Sequence, residues 1–310
     1  MDFGAVHLSD REKAFYKGFN SEIISLCNSL PESAQTEALL FLMKYSGLTI
    51  GRKLDFFKNY HVPSWSVIYW LTRYSPDASV LSQKDIKNAV TAHSMAMVLH
   101  SLDDHLNDGE LPASHLTLLL RSQAWMVMLN ALKHLYDGLD KGRKIANAFL
   151  DEYYSSILGA NYIDSLDSYC NLFRKQMATW LIVPALMMQK TTVDEKFANA
   201  VQVAFESFGI AWKLLDDIND IQIDMMQGTK SSIYVCLPED IKIYWNQVAE
   251  RNNDADFKVI FDCILEIRVV DELKARICSE LESAASVVDC CNMIGLAEEF
   301  RCLLRPLKNG

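Results

Sequence analysis

The chain has 310 residues, half of them apolar, and a formal net charge of −10. That length and apolar content support a substantial buried core and exclude a disordered chain. The negative balance argues against nucleic acid and against an anionic membrane surface as partners, because both need a basic face, and any anionic small ligand would need a metal ion or a local basic cluster.

Apolar residues recur at spacings of three and four, and no run of alternating β-branched residues marks a sheet, so the pattern predicts an all-α chain. In chain order the expected helices cover 9–29, 33–48, 63–73, 84–108, 113–136, 140–158, 164–190, 193–226, 238–250, 255–287 with a break, and 291–305. The seven prolines fall mostly where these helices start or stop. The stretches SPDASVLSQKD, NDGELPAS and QGTKSS carry the Pro, Gly, Ser and Asn that loops use. With no repeat and no composition shift to mark a linker, residues 1–310 read as one helical domain. Segments 92–99, 180–188 and 205–215 are apolar nearly all round, as inner helices of a large bundle are.

No apolar run reaches the roughly 18 residues of a membrane span. The eight cysteines contain no CxxC pair, and the opening MDFGAVHLSDREKAF has no apolar stretch of signal-peptide length. Reduced thiols in a cytoplasmic protein are therefore expected. Adjacent Cys290 and Cys291 lack the second pair that a metal site would need.

Two acidic clusters stand out because each closes a very apolar helix. In WKLLDDINDIQID, residues 212–224, a pitch of about 3.6 residues stacks Asp216, Asp220 and Asp224 on one side, with Asp217 beside them. In VLHSLDDHLNDGEL, Asp103, Asp104 and Asp108 end another, with Asp104 and Asp108 four apart. Carboxylates at this spacing repel, and if buried they raise one another's pKa unless cations lie between them. Magnesium takes oxygen ligands and retains waters, so a few carboxylates and a ligand's phosphate oxygens can hold it. A metal and phosphate site resolves the repulsion; a solvated helix end is the competing account for either cluster alone.

FGIAWKLLDDINDIQID followed by GTKSS resembles the second aspartate-rich motif of the trans-isoprenoid diphosphate synthases and their relatives, and LHSLDDHLND resembles the first. GRK at 51–53 and FRKQMATWLIVPALM from Phe173 extend the resemblance over about residues 45–240. It implies an all-α isoprenoid synthase bundle with a central cavity, a homodimer, three Mg2+ ions and an allylic isoprenyl diphosphate as substrate. Asp103, Asp104 and Asp108 would hold two metals, with Asn107 at the fifth position of the usual DDxxD; Asp216, Asp220 and Asp224 would hold the third. Asp103, Asp104, Asp216 and Asp220 are the implied catalytic set. By the same resemblance Arg174 or Lys175, Lys230, and Lys213 where the family usually has Gln, would bind the diphosphate, and Arg52 and Lys53 are remnants of an isopentenyl pocket.

The departures from the family's pattern concern the acceptor. No arginine pair follows the first motif before Arg121, and Asp55 stands where the pattern around residues 51–56 has an arginine. Both changes remove cations that would hold a second diphosphate, so a terpene synthase that ionises one allylic diphosphate and cyclises it is the favoured expectation. Prenyl transfer to isopentenyl diphosphate or another acceptor, and a silent partner subunit, are the alternatives. Val98 and Leu99, where bulky aromatics shorten the cavity in this family, leave room for a farnesyl or geranylgeranyl chain. His93 and His100 are candidates for the final proton acceptor or ordinary core histidines, and Trp180, Phe208 and Trp212 are candidates for cation stabilisation or core packing.

Overall fold

The structure, a computed structural model, describes residues 1–48, 53–107, 109–159, 162–192, 194–251 and 254–309. Arg52 and Asp108 lie outside the described residues. The elements are α1 (Asp10–Asn28), α2 (Glu32–Tyr45), α3 (Pro63–Tyr74), a 3-10 turn at Ala78–Val80, α4 (Gln83–Asn107), α5 (His115–Tyr136), α6 (Gly142–Leu158), α7 (Leu166–Gln176) and α8 (Ala178–Thr191). They continue with α9 (Glu195–Asn219), α10 (Ile221–Gln227), α11 (Ser232–Cys236), α12 (Glu239–Arg251), α13 (Asp254–Glu266), α14 (Val269–Cys290) and α15 (Ile294–Asn309). No strand occurs among the described residues, so the all-α expectation holds.

Local chemistry sets many of the helix starts. Ser9 and Glu12 form a reciprocal capping box on α1, and Ser114 with Thr117 does the same on α5, each satisfying amide donors that the first helical turn leaves free. Tertiary packing sets the interior. α4 packs on α1, α5 and α8, and α9 packs on α14 and α8, so both acid-bearing helices are flanked by others. Ala89, Ala92, Met95, Met97 and Leu102 of α4 and Val201, Phe208 and Ala211 of α9 are completely buried. One hydrophobic cluster runs from Phe3 to Leu307 and includes them all. No helix among the described residues is long and apolar enough to cross a membrane.

Two expected long helices are broken. The stretch 164–190 divides at Met177, whose side chain lies so close to Gly209 of α9 that a Cβ there would stand 2.4 Å from its Sδ and Cε. The stretch 193–226 divides at Asp220, where φ −102° and ψ 13° depart from the helical values. Hydrogen bonds from Asp220 N–H to the Asp216 carbonyl and from Asp224 N–H to the Asp220 carbonyl carry the chain across this break. The stacking of the three aspartates is therefore loosened at its middle member. α11, absent from the sequence expectation, follows the loop after Gly228, whose φ of 72° ends α10 in the left-handed conformation that glycine tolerates.

Candidate active site

Aspartates in the last turn of a helix oppose its macrodipole, so the placement of both acidic pairs costs stability and calls for nearby positive charge. The ends of α4 and α9 open on one cavity of about 180 Å³, lined by Asp103, Asp104 and Asn107 from the first and Lys213 and Asp216 from the second. The fold thus brings together two motifs that are far apart in sequence.

Each pair divides into one buried and one open carboxylate. Asp103 is 6% exposed and accepts from Arg121 of α5 through Nε at 2.5 Å and Nη2 at 3.0 Å, and from the Tyr153 hydroxyl of α6 at 2.8 Å. Asp104 is exposed and makes no hydrogen bond or ion pair among the described residues. On α9 the order is reversed. Asp217 is 1% exposed and accepts from the Tyr169 hydroxyl at 2.8 Å and the Ser232 backbone N–H at 2.9 Å, with Lys213 Nζ 3.0 Å from its other oxygen. Asp216 is open to the cavity, its nearest cation Lys213 at 3.5 Å.

The electrostatics follow this arrangement. Burial opposes the charge on Lys213, but Asp217, Tyr169, Asp216 and Asp104 together hold its pKa well above the usual lysine value. Burial, and then the charges of Asp220 and Asp217, raise Asp216 despite the pull of Lys213. Asp220 is raised by burial and by Asp217 and Glu110, again against Lys213. Asp224 is pushed up to about 7, first by burial and then by Asp217, with Ser231 opposing the rise, and its buried Oδ2 accepts no hydrogen bond of ordinary geometry among the described residues. Carboxylates driven toward protonation by one another, one with an unpartnered buried oxygen, suit a hard divalent cation with oxygen ligands. Among the described residues no three His, Cys, Asp or Glu side chains already converge on one point as such a ligand set.

A second cavity of about 300 Å³ shares Ser101, His105, Trp212 and Asp216 with the first and extends among Ile23, Leu42, Phe56, Phe57 and Val98. Its polar rim is ordered: the Tyr60 hydroxyl donates to the Met97 carbonyl at 3.0 Å and is hydrogen-bonded to Ser101, while the Tyr45 hydroxyl and His105 Nδ1 lie 2.8 Å apart. Trp212 lines the passage, and further rings pack against it. Trp180 and Trp212 stack with centroids 5.5 Å apart, and His100 lies 5.0 Å from Trp180 and 6.1 Å from Trp212. The two candidate histidines separate here. His93 is fully buried, bonded through Nε2 to the Ser64 carbonyl at 2.6 Å and pushed down to about 4 by burial; His100 lines the acidic cavity, its pKa also lowered by burial. Phe208 is a core residue, completely buried against Phe205 and Phe300.

Of the described basic residues expected at the substrate, only Lys213 lies in the acidic cavity. Arg174 does not line the cavity; it is bonded to Asn171 and lies 4.0 and 3.9 Å from Glu206 and Glu280. Lys175 is exposed at the end of α7, and its neighbour Gln176 lines the cavity instead. Lys230 is exposed, its ammonium 5.9 Å from the Tyr234 ring centre. Lys53 borders a separate surface cavity with Tyr16, Asn20 and Asp55, where Asp55 accepts from Tyr16 at 2.5 Å and Asn20 at 3.3 Å. Arg121, Tyr153, Tyr169, Tyr60 and His105 are site residues that the sequence expectation did not include: Arg121, Tyr153 and Tyr169 hold the buried aspartates from helices outside the two motifs, Tyr60 lines the apolar cavity from the loop before α3, and His105 lies within the first motif itself.

No known family profile matches the sequence, and no curated protein matches it. Solved structures do match in shape. The geranylgeranyl pyrophosphate synthetase of Pyrococcus horikoshii superposes with a TM-score of 0.67 at 11% identity, covering 95% of this chain and 97% of that one. The chain has the trans-isoprenyl diphosphate synthase fold. A polyprenyl synthase of Caulobacter crescentus, complexed with calcium and isoprenyl diphosphate, matches with a TM-score of 0.65 at 13% identity over 97% of this chain and 99% of that one. The geranylgeranyl pyrophosphate synthase of Corynebacterium glutamicum, complexed with isoprenyl diphosphate and magnesium, matches at 0.63 and 12% identity over 95% and 99%. At such identities the likeness is one of trans-isoprenyl diphosphate synthase architecture, and the activities in these names belong to those proteins.

Proposed function

We propose that this protein ionises an allylic isoprenyl diphosphate with the help of Mg2+ and transfers the prenyl group to an acceptor. The observation that carries the proposal is the meeting of Asp103 and Asp104 with Asp216 at one cavity that continues, past Trp212, into an apolar one. The activities named for the structural neighbours, prenyl synthases throughout, favour transfer over the cyclisation expected from sequence.

In this reading Asp104 and Asp216 are the accessible metal ligands, with Asp220 and Asp224 below them on the α9–α10 side. Bound Mg2+ stabilises negative charge on the departing diphosphate. The chain's own residues do the rest. Lys213 offsets the charge of Asp216 and Asp217, Phe56, Phe57 and Val98 exclude water from the prenyl chain, and the face of Trp212 attracts the developing cation.

Terpene cyclisation is the second reading, and Asp55 favours it. A carboxylate fixed by Tyr16 and Asn20 stands where the resemblance places an arginine for the isopentenyl diphosphate. The experiment is incubation with Mg2+ and geranyl, farnesyl or geranylgeranyl diphosphate, each with and without isopentenyl diphosphate, followed by analysis of diphosphate and of extracted products. A longer prenyl diphosphate formed only with isopentenyl diphosphate supports transfer; hydrocarbon or alcohol from one ester alone supports cyclisation. No diphosphate release in any incubation would sink both.

A further inference from the structure

Each acidic pair carries its own fixed cation. Arg121 engages both oxygens of Asp103, and Lys213 lies between Asp217 at 3.0 Å and Asp216 at 3.5 Å. The same two buried aspartates are occupied from another side, Asp103 by the Tyr153 hydroxyl and Asp217 by the Tyr169 hydroxyl and the Ser232 amide. A divalent ion competing for Asp103 would have to break a two-point charge-assisted pair on a carboxylate that is 6% exposed, leaving an arginine without its partner. To reach Asp217, 1% exposed, it would have to displace Lys213.

We infer that Arg121 and Lys213 are built-in counter-cations of the site, so that of the four paired aspartates only Asp104 and Asp216 bind divalent ions, and the site fills with fewer than three of them. The inference rests on the diphosphate reading above but adds to it a metal count and a competitor. Lys213 is that competitor, because its ammonium already sits beside the open Asp216. Arg121 acts differently. It takes Asp103 out of the ligand set and holds it as a brace between α4, α5 and α6.

The test counts Mn2+ bound to the full chain by electron paramagnetic resonance, with and without inorganic pyrophosphate, in the parent protein and in Lys213→Gln, Lys213→Met and Arg121→Gln, with circular dichroism melts to identify folded variants. The parent is expected to bind fewer than three Mn2+ with pyrophosphate present. Removing a unit positive charge a few ångströms from the ligand oxygens should make Mn2+ binding at least about tenfold tighter in the Lys213 variants, or add an ion. Three ions in the parent overturn the inference. So does unchanged Mn2+ affinity in a folded Lys213 variant, or weaker Mn2+ binding together with lost pyrophosphate binding, which would assign Lys213 to the diphosphate instead. Absence of Mn2+ binding in the parent and every variant overturns the diphosphate reading, and this inference falls with it.

Discussion

Asp103 and Asp104 are neighbours on α4 and face opposite environments: Asp103 is locked by Arg121 and Tyr153, while Asp104 stands open to the cavity with no partner among the described residues. Substitution by asparagine should therefore separate them. Asp104→Asn is expected to lower kcat/KM for allylic diphosphate at least about 100-fold with little change in stability, as is Asp216→Asn. Asp103→Asn leaves Arg121 unpaired; since that side chain is 33% exposed, the loss is expected at about 1–2 kcal/mol rather than the larger cost of a fully buried pair. Denaturant unfolding and a diphosphate-release assay on the same preparations check both halves.

The contrast marks how far the sequence could be read. α4 and α9 were legible as inner helices because they are apolar on nearly every face, and their terminal aspartates were legible because charge is out of place there. Which aspartate of each pair is free was not legible. Arg121 lies 18 positions and Tyr153 50 positions from Asp103, on different helices, and no local spacing connects them. Arg174 shows the same limit: its acidic partners Glu206 and Glu280 lie on α9 and α14, far from it in sequence. The breaks at Met177 and Asp220 are likewise tertiary, since neither has a proline or glycine to announce it.

Glu299 gives the protein a pH-dependent stability away from the active site. It is 3% exposed on α15, accepts from the Ser66 hydroxyl at 2.5 Å and Trp70 Nε1 at 2.7 Å on α3, and burial raises its pKa from 4.5 to about 8, with Glu12 adding to the rise. The folded state therefore holds a proton that the unfolded state releases near 4.5, so stability falls as pH rises between 4.5 and about 8. Up to on the order of 4 kcal/mol is at stake. Melting temperatures at pH 6 and pH 9 should show the parent losing stability and Glu299→Gln changing much less. Equal slopes for the two proteins would exclude Glu299 as the source.

His93 and His100 should respond differently although both are on α4. His93→Leu removes the buried N–H that donates to the Ser64 carbonyl and is expected to cost about 1–3 kcal/mol without altering product identity. His100→Phe keeps the ring packing against Trp180 and Trp212 but removes the His100 imidazole from the cavity wall. Its expected signature is a changed product distribution or lower turnover at near-normal melting temperature. Product analysis beside a thermal melt decides between them; matching stability losses and an unchanged product pattern would reduce His100 to a packing residue.

Chain-length preference should be controlled by Val98 and not by Leu99. Both occupy positions where bulk would shorten the cavity by the family resemblance, yet only Val98 lines the apolar cavity; Leu99 is 2% exposed and packs in the core. Val98→Phe projects a ring into the space proposed for the prenyl chain, so kcat/KM for farnesyl diphosphate should fall relative to geranyl diphosphate by at least about tenfold. Leu99→Phe instead overpacks the core, at about 1–3 kcal/mol, with the ratio unchanged. The comparison needs only initial rates on two esters and an unfolding curve for each variant. A shifted ratio in Leu99→Phe and an unshifted one in Val98→Phe would mean that the prenyl chain lies elsewhere than in the cavity beside Trp212.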